Sequence, residues 1–445
     1  MGKQTDTETT PASKPLWHKG TRAEDWVTRF TVGDDYRWDT LLLPYDIEGT
    51  RGHAWGLVQI GVLSDEELAQ IEEALEALEE AVAAGEVVVA PEDEDAHTVI
   101  ERYLTERLGA VGKKIHTGRS RNDQVLAALR LFLHERLQAL GRKTAALAEV
   151  LCALGERHAG DLMPGYTHLQ RAMPSTAGLW AMGYAELLAG DLADLRHAAE
   201  KVNVSPLGSA AGYGVPHLDL PREAVAERLG FRAVQTHATV VQLSRGKLEL
   251  GVVHALVQAG ATINRLASDL VLFNTAEFGF VELPAEYCTG SSIMPQKQNP
   301  DVLELARAHY HRLLAEQQTL ATLPANLPSG YHRDLQLTKE AVMRSVLLAD
   351  DLLTAVTKTV EGLRFRTDRM RAACTPELYA THRALAQVEA GVPFREAYRN
   401  AAAFEDDEPA PPDAESVLDA YATAGSPGRL RPDRVRAALA EHRFW

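Results

Sequence analysis

A polar segment from Gly290 to Pro300, GSSIMPQKQNP, carries side chains that could do chemistry between two predicted helices. Lys297 and Asn299 are donors that could stabilise a developing negative charge. Glu304 follows on the next predicted helix, where a carboxylate could orient and charge a histidine. A surface turn would have the same composition, so the segment alone leaves both interpretations open.

Two further segments interrupt the helical pattern in a similar way. The first, HTGRSRNDQ from His116 to Gln124, places two arginines, two hydroxyls and a carboxamide just before a long predicted helix. A helix N-terminus beside guanidinium groups is a good anion site, although an N-cap with exposed arginines would read the same. The second, GYTHLQRAMP, groups Thr167, His168 and Gln170. Its alternative interpretation is a hydrogen-bonded histidine near a helix start.

Amphipathic helices must position these segments. Ser64 and Glu67 form a capping box for a helix ending at Gly85, and a second helix ends at Gly109. After Asn122, leucines recur at helical spacing over roughly 30 residues, about 45 Å of helix. This stripe consists of Leu129, Leu133, Leu137, Leu140, Leu147, Leu151 and Leu154.

The long helix needs partners along its length, and helices are predicted over 175–200, 240–275, 301–322 and 338–363. Strand-like alternation is almost absent. The fold class is therefore all-α, with a long central helical bundle flanked by two smaller, mostly helical domains. One chain cannot bury every apolar face of such long helices, which predicts an oligomer.

The expected organisation is a disordered tail, an N-terminal helical domain, the central bundle and a small C-terminal helical domain. Their expected ranges are 1–15, 16–121, 122–365 and 366–445. In the last domain we expect two short helices around a Gly-Val-Pro break, then an acidic, proline-rich loop. A final helix is expected over 432–442.

Composition excludes several classes of function. The 445-residue chain has a formal net charge of −16, which argues against binding to nucleic acid or an anionic membrane. No run of apolar residues is long enough for a membrane span, and the polar N-terminus is no ordinary secretion signal. Cys152, Cys288 and Cys374 show no paired spacing, which favours a reducing, cytoplasmic location.

Taken together, the three segments resemble the fumarase/aspartase superfamily, whose members share three separated active-site segments. GSSIMPQKQNP fits the superfamily signature. Within it, HTGRSRNDQV, GYTHLQRAMP, SPLGS and YHRDLQLTKE resemble the argininosuccinate lyases, and the likeness runs from LWHKG to GVPFREAY. The implied reaction cleaves argininosuccinate to arginine and fumarate, the last step of arginine synthesis.

The resemblance implies a role for each catalytic residue. Ser291 matches the base that removes a proton beside a substrate carboxylate, and Lys297 is the candidate for activating it. Asn299 would hold that carboxylate. His168 resembles the histidine that pairs with a glutamate, here Glu304.

Further residues match substrate contacts of the family. The fumarate side corresponds to Ser120, Arg121 and Asn122. The other contacts correspond to Thr50, His97, Thr167, Tyr331, Gln336 and Lys339. The resemblance also implies a homotetramer with each site assembled from three subunits, and neither a metal nor an organic cofactor.

Departures from the family pattern concern the amino-acid end of the substrate. Thr50, Arg51 and Gly52 replace a serine and small or apolar residues, Gln298 replaces a frequent lysine, and His382 replaces a common aspartate. VVQLSRGKLEL leaves Arg245 as a partial match to the usual Ser-Asp-Arg-Asp-Phe. Two alternatives therefore stay open: a paralogue that releases fumarate from another N-substituted aspartate, and a catalytically silent structural protein on the same scaffold.

Overall fold

The structure, a computed structural model, describes residues 24–402 and 413–444. The predicted tail and residues 404–412 of the acidic loop lie outside the described residues. The helices are α1 Asp25–Val32, α2 Asp35–Gln59, α3 Asp65–Ala83, α4 Ala96–Leu108, α5 Arg121–Arg157, α6 Ala177–Val202, α7 Arg222–Arg228, α8 Ala238–Leu243, α9 Lys247–Phe273, α10 Asp301–Thr322, α11 Leu337–Glu361, α12 Thr367–Ala372, α13 Ala380–Glu389, α14 Phe394–Ala402, α15 Ala414–Asp419 and α16 Pro432–Glu441.

Within the described residues, short strands pair in three two-stranded sheets. β1 and β2 form an antiparallel hairpin, β3 and β4 pair in parallel, and β5 and β6 pair antiparallel. Their bounds are β1 Leu162–Thr167, β2 Gln170–Thr176, β3 Val204–Ser205, β4 Ala233–Val234, β5 Val281–Glu282 and β6 Arg364–Phe365. The predicted all-α class is confirmed, and the hairpin is the main element that the periodicity did not predict.

The chain divides into two compact units. Unit 1 comprises the described part of residues 1–136 together with 198–252 and 318–344. Unit 2 comprises 137–197, 253–317 and the described part of 345–445. The domain boundaries expected from the sequence remain a prediction.

Unit 1 has its main core between α2, α3 and α4. Ile47, Leu57, Ile71, Leu75 and Leu104 are almost completely buried in one cluster there. Local sequence fixes the ends of the surrounding helices. The predicted capping box is present, because Ser64 accepts from the Glu67 backbone N–H and Glu67 accepts from that of Ser64. Asp95 caps α4, and Gly109 follows its last residue.

Unit 2 contains a bundle of long helices. At the α5–α6 crossing, a Cβ on Gly178 would lie 2.5 Å from the Gly155 carbonyl oxygen, so only glycine allows this backbone approach. Polar contacts also fix how neighbouring helices align along their lengths. Thr262 of α9 donates to Asp191 of α6 at 2.7 Å, and Lys143 of α5 pairs with Asp350 of α11 at 2.7 Å.

The longest helix confirms the leucine stripe. α5 has 37 residues, about 55 Å at 1.5 Å per residue, and every leucine of the stripe is at most 3% exposed. The four partner helices also form close to their predicted ranges, as do the C-terminal helices. No helix of the described residues combines the length and apolar character that spanning a bilayer needs.

Candidate active site

A polar cavity of about 80 Å³ lies within unit 1. Most of the predicted substrate contacts of this unit line it, and residues from five separate stretches of sequence converge there. The lining residues are Val32, Asp35, Asp39, Glu94, Asp95, His97, Arg121, Asn122, Val125, Arg245, Tyr331, Arg333, Gln336 and Lys339.

Lys339 is the most buried cation of this cavity. It lies at the start of α11, and its ammonium contacts two carboxylates of α2, Asp35 at 2.9 Å and Asp39 at 3.0 Å. Burial favours the neutral amine, but Asp39 and Asp35 outweigh burial and raise the pKa of Lys339. Burial also raises the pKa of Asp39 to about 6, even beside this lysine. The cluster holds one positive and two potential negative charges.

The start of α5 forms another wall. Arg121, its first residue, pairs with Asp95 at 2.8 Å and donates to Thr98 at 2.8 Å. Ser120 accepts from the backbone N–H of Asn122 at 3.3 Å, as an N-cap residue does. The N-cap of the second interpretation is therefore present, but its exposed arginines are not, because Arg119 is buried and Arg121 is ion-paired. The anion site remains a prediction.

His97 lies on α4, where its Nδ1 makes a short contact with Asp46. Gln124 donates to the other oxygen of Asp46 at 3.0 Å. Burial alone would lower the pKa of His97, but the carboxylates of Asp46 and Asp95 outweigh it and raise that pKa. The ring is therefore held in a fixed orientation beside the cavity.

The Thr50–Gly52 stretch of α2 points elsewhere. Thr50 is completely buried and accepts from Arg119 at 3.0 Å, so it supports the loop before α5 without lining the cavity. Arg51 faces away, toward Glu79 at 2.7 Å, in an acidic surface groove with Glu48, Glu72 and Glu76. Arg51, one of the departures from the family pattern, is thus outside the cavity.

Unit 2 carries the Gly290–Pro300 segment, which has no regular secondary structure. The Ser291 hydroxyl oxygen accepts from two backbone N–H groups, those of Ile293 at 3.3 Å and Met294 at 3.1 Å. Two donors aimed at one oxygen stabilise negative charge on that oxygen.

The ends of this segment are tied together. Thr289 and Asn299 exchange two backbone hydrogen bonds at 3.1 and 2.8 Å, which close the segment into a loop. Asn299 also donates its side-chain amide to the Gly290 carbonyl at 3.4 Å. Lys297 is exposed near one end, and Ile293 near the tip is 83% exposed.

His168 and Thr167 lie at the tip of the β1–β2 hairpin, also in unit 2. His168 and Leu169 form its turn with φ of 53° and 59°, in the left-handed region that non-glycine residues rarely adopt. Both side chains are exposed. The alternative of a histidine near a helix start is therefore wrong.

The structure brings the predicted residues together only in part. Within unit 1, His97, Arg121, Asn122, Tyr331, Gln336 and Lys339 line one cavity. Within the described residues of unit 2, no hydrogen bond or ion pair joins His168 to Glu304 or Lys297 to Ser291. Glu304 instead lies 4.0 Å from Arg307, one helical turn away.

Sequence reasoning missed the acidic residues of α2. Asp35, Asp39 and Asp46 lie at positions i, i+4 and i+11, which places them on one helical face. Aspartates at helical spacing within a largely buried helix indicate partnered carboxylates, and this signal could have found them. Among the described residues, no group of three or more His, Cys, Asp or Glu side chains is arranged to hold a metal ion.

Comparison with known proteins places the chain among the lyases. A family model described as Lyase matches residues 32–314. The chain is 46% identical over 430 residues to an argininosuccinate lyase of Sorangium cellulosum (strain So ce56), covering 96% of this chain and 99% of that relative. It is 43% identical over 387 residues to that of Thermotoga neapolitana, covering 87% and 97%.

Solved structures show the same fold at lower identity. A variant of EDDS lyase with bound fumarate has a TM-score of 0.74 and 24% identity, covering 95% of this chain and 90% of that chain. A class II fumarase from Schistosoma mansoni has a TM-score of 0.70 and 15% identity, covering 85% and 91%. The chain belongs to the argininosuccinate lyase family, within the fumarase/aspartase superfamily.

Proposed function

We propose that this protein cleaves argininosuccinate to arginine and fumarate, as a carbon–nitrogen lyase of arginine synthesis in the cytoplasm. The observation that carries the chemistry is Ser291, whose oxygen accepts two backbone N–H donors. A free serine is a poor base, so a built-in pair of donors for its alkoxide is what base catalysis requires. Identity with argininosuccinate lyases over nearly the whole chain supports the substrate.

The reaction begins when the Ser291 alkoxide removes the proton from the carbon beside a succinate carboxylate. The electron pair moves into that carboxylate, and Lys297 and Asn299 donate to the extra charge. The pair then forms the C=C bond of fumarate as the C–N bond breaks. The departing guanidino nitrogen takes up a proton, and the His168–Glu304 pair is our candidate to supply it.

The unit 1 cavity takes the remaining parts of the substrate. Ser120, Arg121 and Asn122 at the start of α5 suit the succinate end. Tyr331, Gln336 and Lys339, with His97 nearby, suit the amino-acid end, while Thr50 supports the wall through Arg119. Both signs of charge line this cavity, which fits a substrate carrying ammonium, guanidinium and carboxylate groups.

We further propose a homotetramer in which each site combines residues from three subunits. In one chain Lys297, His168 and Thr167 are exposed, although donors act most strongly in a site that excludes water. The long helices also leave large apolar side chains in solvent: Leu187 of α6, Leu305 of α10 and Leu337 of α11 are each more than 50% exposed. Further copies of the chain would cover both the exposed site residues and these leucines.

Substrate identity is tested by ultraviolet absorbance of released fumarate across a panel of N-substituted aspartates. We expect argininosuccinate to give a higher kcat/KM than adenylosuccinate or aspartate. Fumarate from another member of the panel, with none from argininosuccinate, would establish the paralogue instead. No fumarate from any member would favour the silent scaffold.

Assembly is tested by complementation. Tetramers of Ser291→Ala and of His168→Asn are mixed, and subunit exchange is verified by mass spectrometry. If sites combine subunits, some mixed sites regain both residues, and turnover recovers above that of either variant. Absence of recovery despite exchange, or a monomer in light scattering, would show that the sites are not shared.

A further inference from the structure

The cations of the unit 1 cavity differ in how they are neutralised. Lys339 contacts two carboxylates, Arg121 pairs with Asp95, and Arg333 lies 3.5 Å from Glu94. Arg245 also lines the cavity, yet within the described part of the chain no carboxylate lies within ion-pair distance of it. Glu249 and Asp35 act on its charge only from beyond that distance, so Arg245 is the cavity cation without a direct ion-pair partner.

Arg245 is held firmly in this position. It lies in the turn between α8 and α9, next to Gly246, whose φ of 76° reverses the chain. A Cβ at Gly246 would meet Pro324 at 3.1 Å, which fixes the turn against its neighbour. The guanidinium stacks on the Tyr331 ring with its carbon 5.0 Å from the centroid.

The burial of Arg245 makes this missing partner significant. The residue is 6% exposed, and its Nε is buried with no hydrogen-bond partner in the described structure. Burial lowers its pKa, against Tyr331, Glu249 and Asp35, which act in the opposite direction. A buried, incompletely paired guanidinium is costly, and a carboxylate entering the cavity would supply the absent acceptor.

Asp35 offers the complementary group. One carboxylate oxygen contacts Lys339, and the other makes no hydrogen bond within the described residues. Its side chain is 17% exposed, whereas that of Asp39 is 2% exposed. Asp39 therefore neutralises Lys339 from inside, and Asp35 adds a negative charge at the accessible side of the cavity.

We propose that Arg245 and Asp35 form a recognition pair for the α-amino-acid end of the leaving group, in which Arg245 binds the α-carboxylate and Asp35 binds the α-ammonium. Lys339, whose ammonium contacts Asp35 at 2.9 Å, also holds this carboxylate in place at the amino-acid end. This assignment rests on the proposed function and specifies the substrate class: leaving groups that carry a free amino acid.

Three substrates test the pair: argininosuccinate, its analogue lacking the α-carboxylate and its analogue lacking the α-ammonium. Arg245→Gln should lower kcat/KM for argininosuccinate about ten- to a hundredfold, the effect of losing a charged hydrogen bond. It should leave kcat/KM for the decarboxylated analogue unchanged. Asp35→Asn should reduce kcat/KM only for the substrates that retain the ammonium.

Two control variants carry the same change of charge outside the cavity. Asp34 and Arg37 lie beside Asp35 in sequence and pair with each other at the surface, 61% and 67% exposed. Asp34→Asn and Arg37→Gln should therefore leave all three kcat/KM values unchanged. If Arg245→Gln fails to fold by circular dichroism, Arg245→Lys keeps the charge and should show the same pattern with a smaller loss.

Equal losses for all three substrates in the Arg245 and Asp35 variants would overturn the recognition pair while leaving the proposed function intact. If wild-type protein released no fumarate from argininosuccinate, the proposed function would fail separately. Calorimetry would then still test the pair with arginine and agmatine, which lacks the carboxylate. Wild-type protein should prefer arginine and Arg245→Gln should not; equal preference in both would refute the assignment.

Discussion

The unit 1 cavity and the Ser291 loop of unit 2 differ in how their polar groups are held. In the cavity, charged groups such as Lys339 and His97 are buried and held by carboxylates of α2 before any ligand arrives. In the loop, Lys297 is exposed, and the order comes from backbone hydrogen bonds around Ser291 and Asn299. The charges of Lys339 and His97 are thus matched within one chain, whereas Lys297 of the loop is left in solvent.

This difference separates two kinds of mutational effect. Removing a charge from the cavity leaves its partner buried and uncompensated, so stability and binding change together. Removing a side chain from the exposed loop leaves no buried group without its partner. We therefore expect kcat to change while the free energy of unfolding does not. Each of the following substitutions tests one side of this contrast.

Ser291→Ala should have the largest effect. Loss of the base should lower kcat about 10²–10⁴-fold, with KM and melting temperature close to wild type, because a base acts in the transition state. The matched control is Ser292→Ala, the adjacent exposed serine, which should retain turnover. A wild-type kcat in Ser291→Ala would show that another residue is the base.

Lys339→Met should mainly lower stability. Breaking a buried ion pair costs about 3–5 kcal/mol, because the buried Asp39 and the partly buried Asp35 would remain as neighbouring carboxylates without a cation between them. Adding Asp39→Asn in the same chain removes one of these charges and should restore part of the loss. Thermal and urea unfolding measure both variants, and an unchanged melting temperature in Lys339→Met would contradict the preformed cavity.

His97 gives the cavity a pH dependence. Its folded-state pKa is raised above the unfolded value of 6.5 by Asp46 and Asp95, against burial. The stabilisation is therefore complete below the unfolded pKa and is lost as pH rises through the folded pKa. The melting-temperature difference between wild type and His97→Asn should therefore shrink as the pH rises above about 6.5. The exposed His311 on α10 is the control, and His311→Asn should show no such trend.

Arg51→Ala should have the smallest effect. Its partners, Glu79 and Glu48, are about half exposed, and such surface pairs contribute about 0–1 kcal/mol. We expect kcat/KM for argininosuccinate to stay at the wild-type value. A marked change in the preference among N-substituted aspartates would show that Arg51 reaches the substrate.

The helices were predictable because their signals are local. The capping box at Ser64, the stop at Gly109 and the leucine stripe of α5 each depend on residues within a few turns of one another. The β1–β2 hairpin was not predictable in this way. Its turn uses His168 and Leu169 at positive φ, where sequence rules expect Asn-Gly or similar pairs.

The cavity shows why local sequence patterns could not predict the whole candidate site. Resemblance supplied Lys339, but its partner Asp39 lies 300 residues away in sequence, and no local pattern links them. The separation of Arg51 from the cavity likewise follows from the packing of α2 against α3. The roles of the individual site residues remain predictions that the substitutions above will test.

The two backbone hydrogen bonds that tie Thr289 to Asn299 also limit how far each residue of the loop between them can move. Ser291 and Lys297 each lie two residues from an anchored end, so their backbones stay within about 7 Å of the tie. Met294 lies five residues from either end and has a reach of about 17 Å. Any movement of the loop is therefore largest at its apolar tip, with Ile293 and Met294, while Ser291 and Lys297 stay close to the anchored ends.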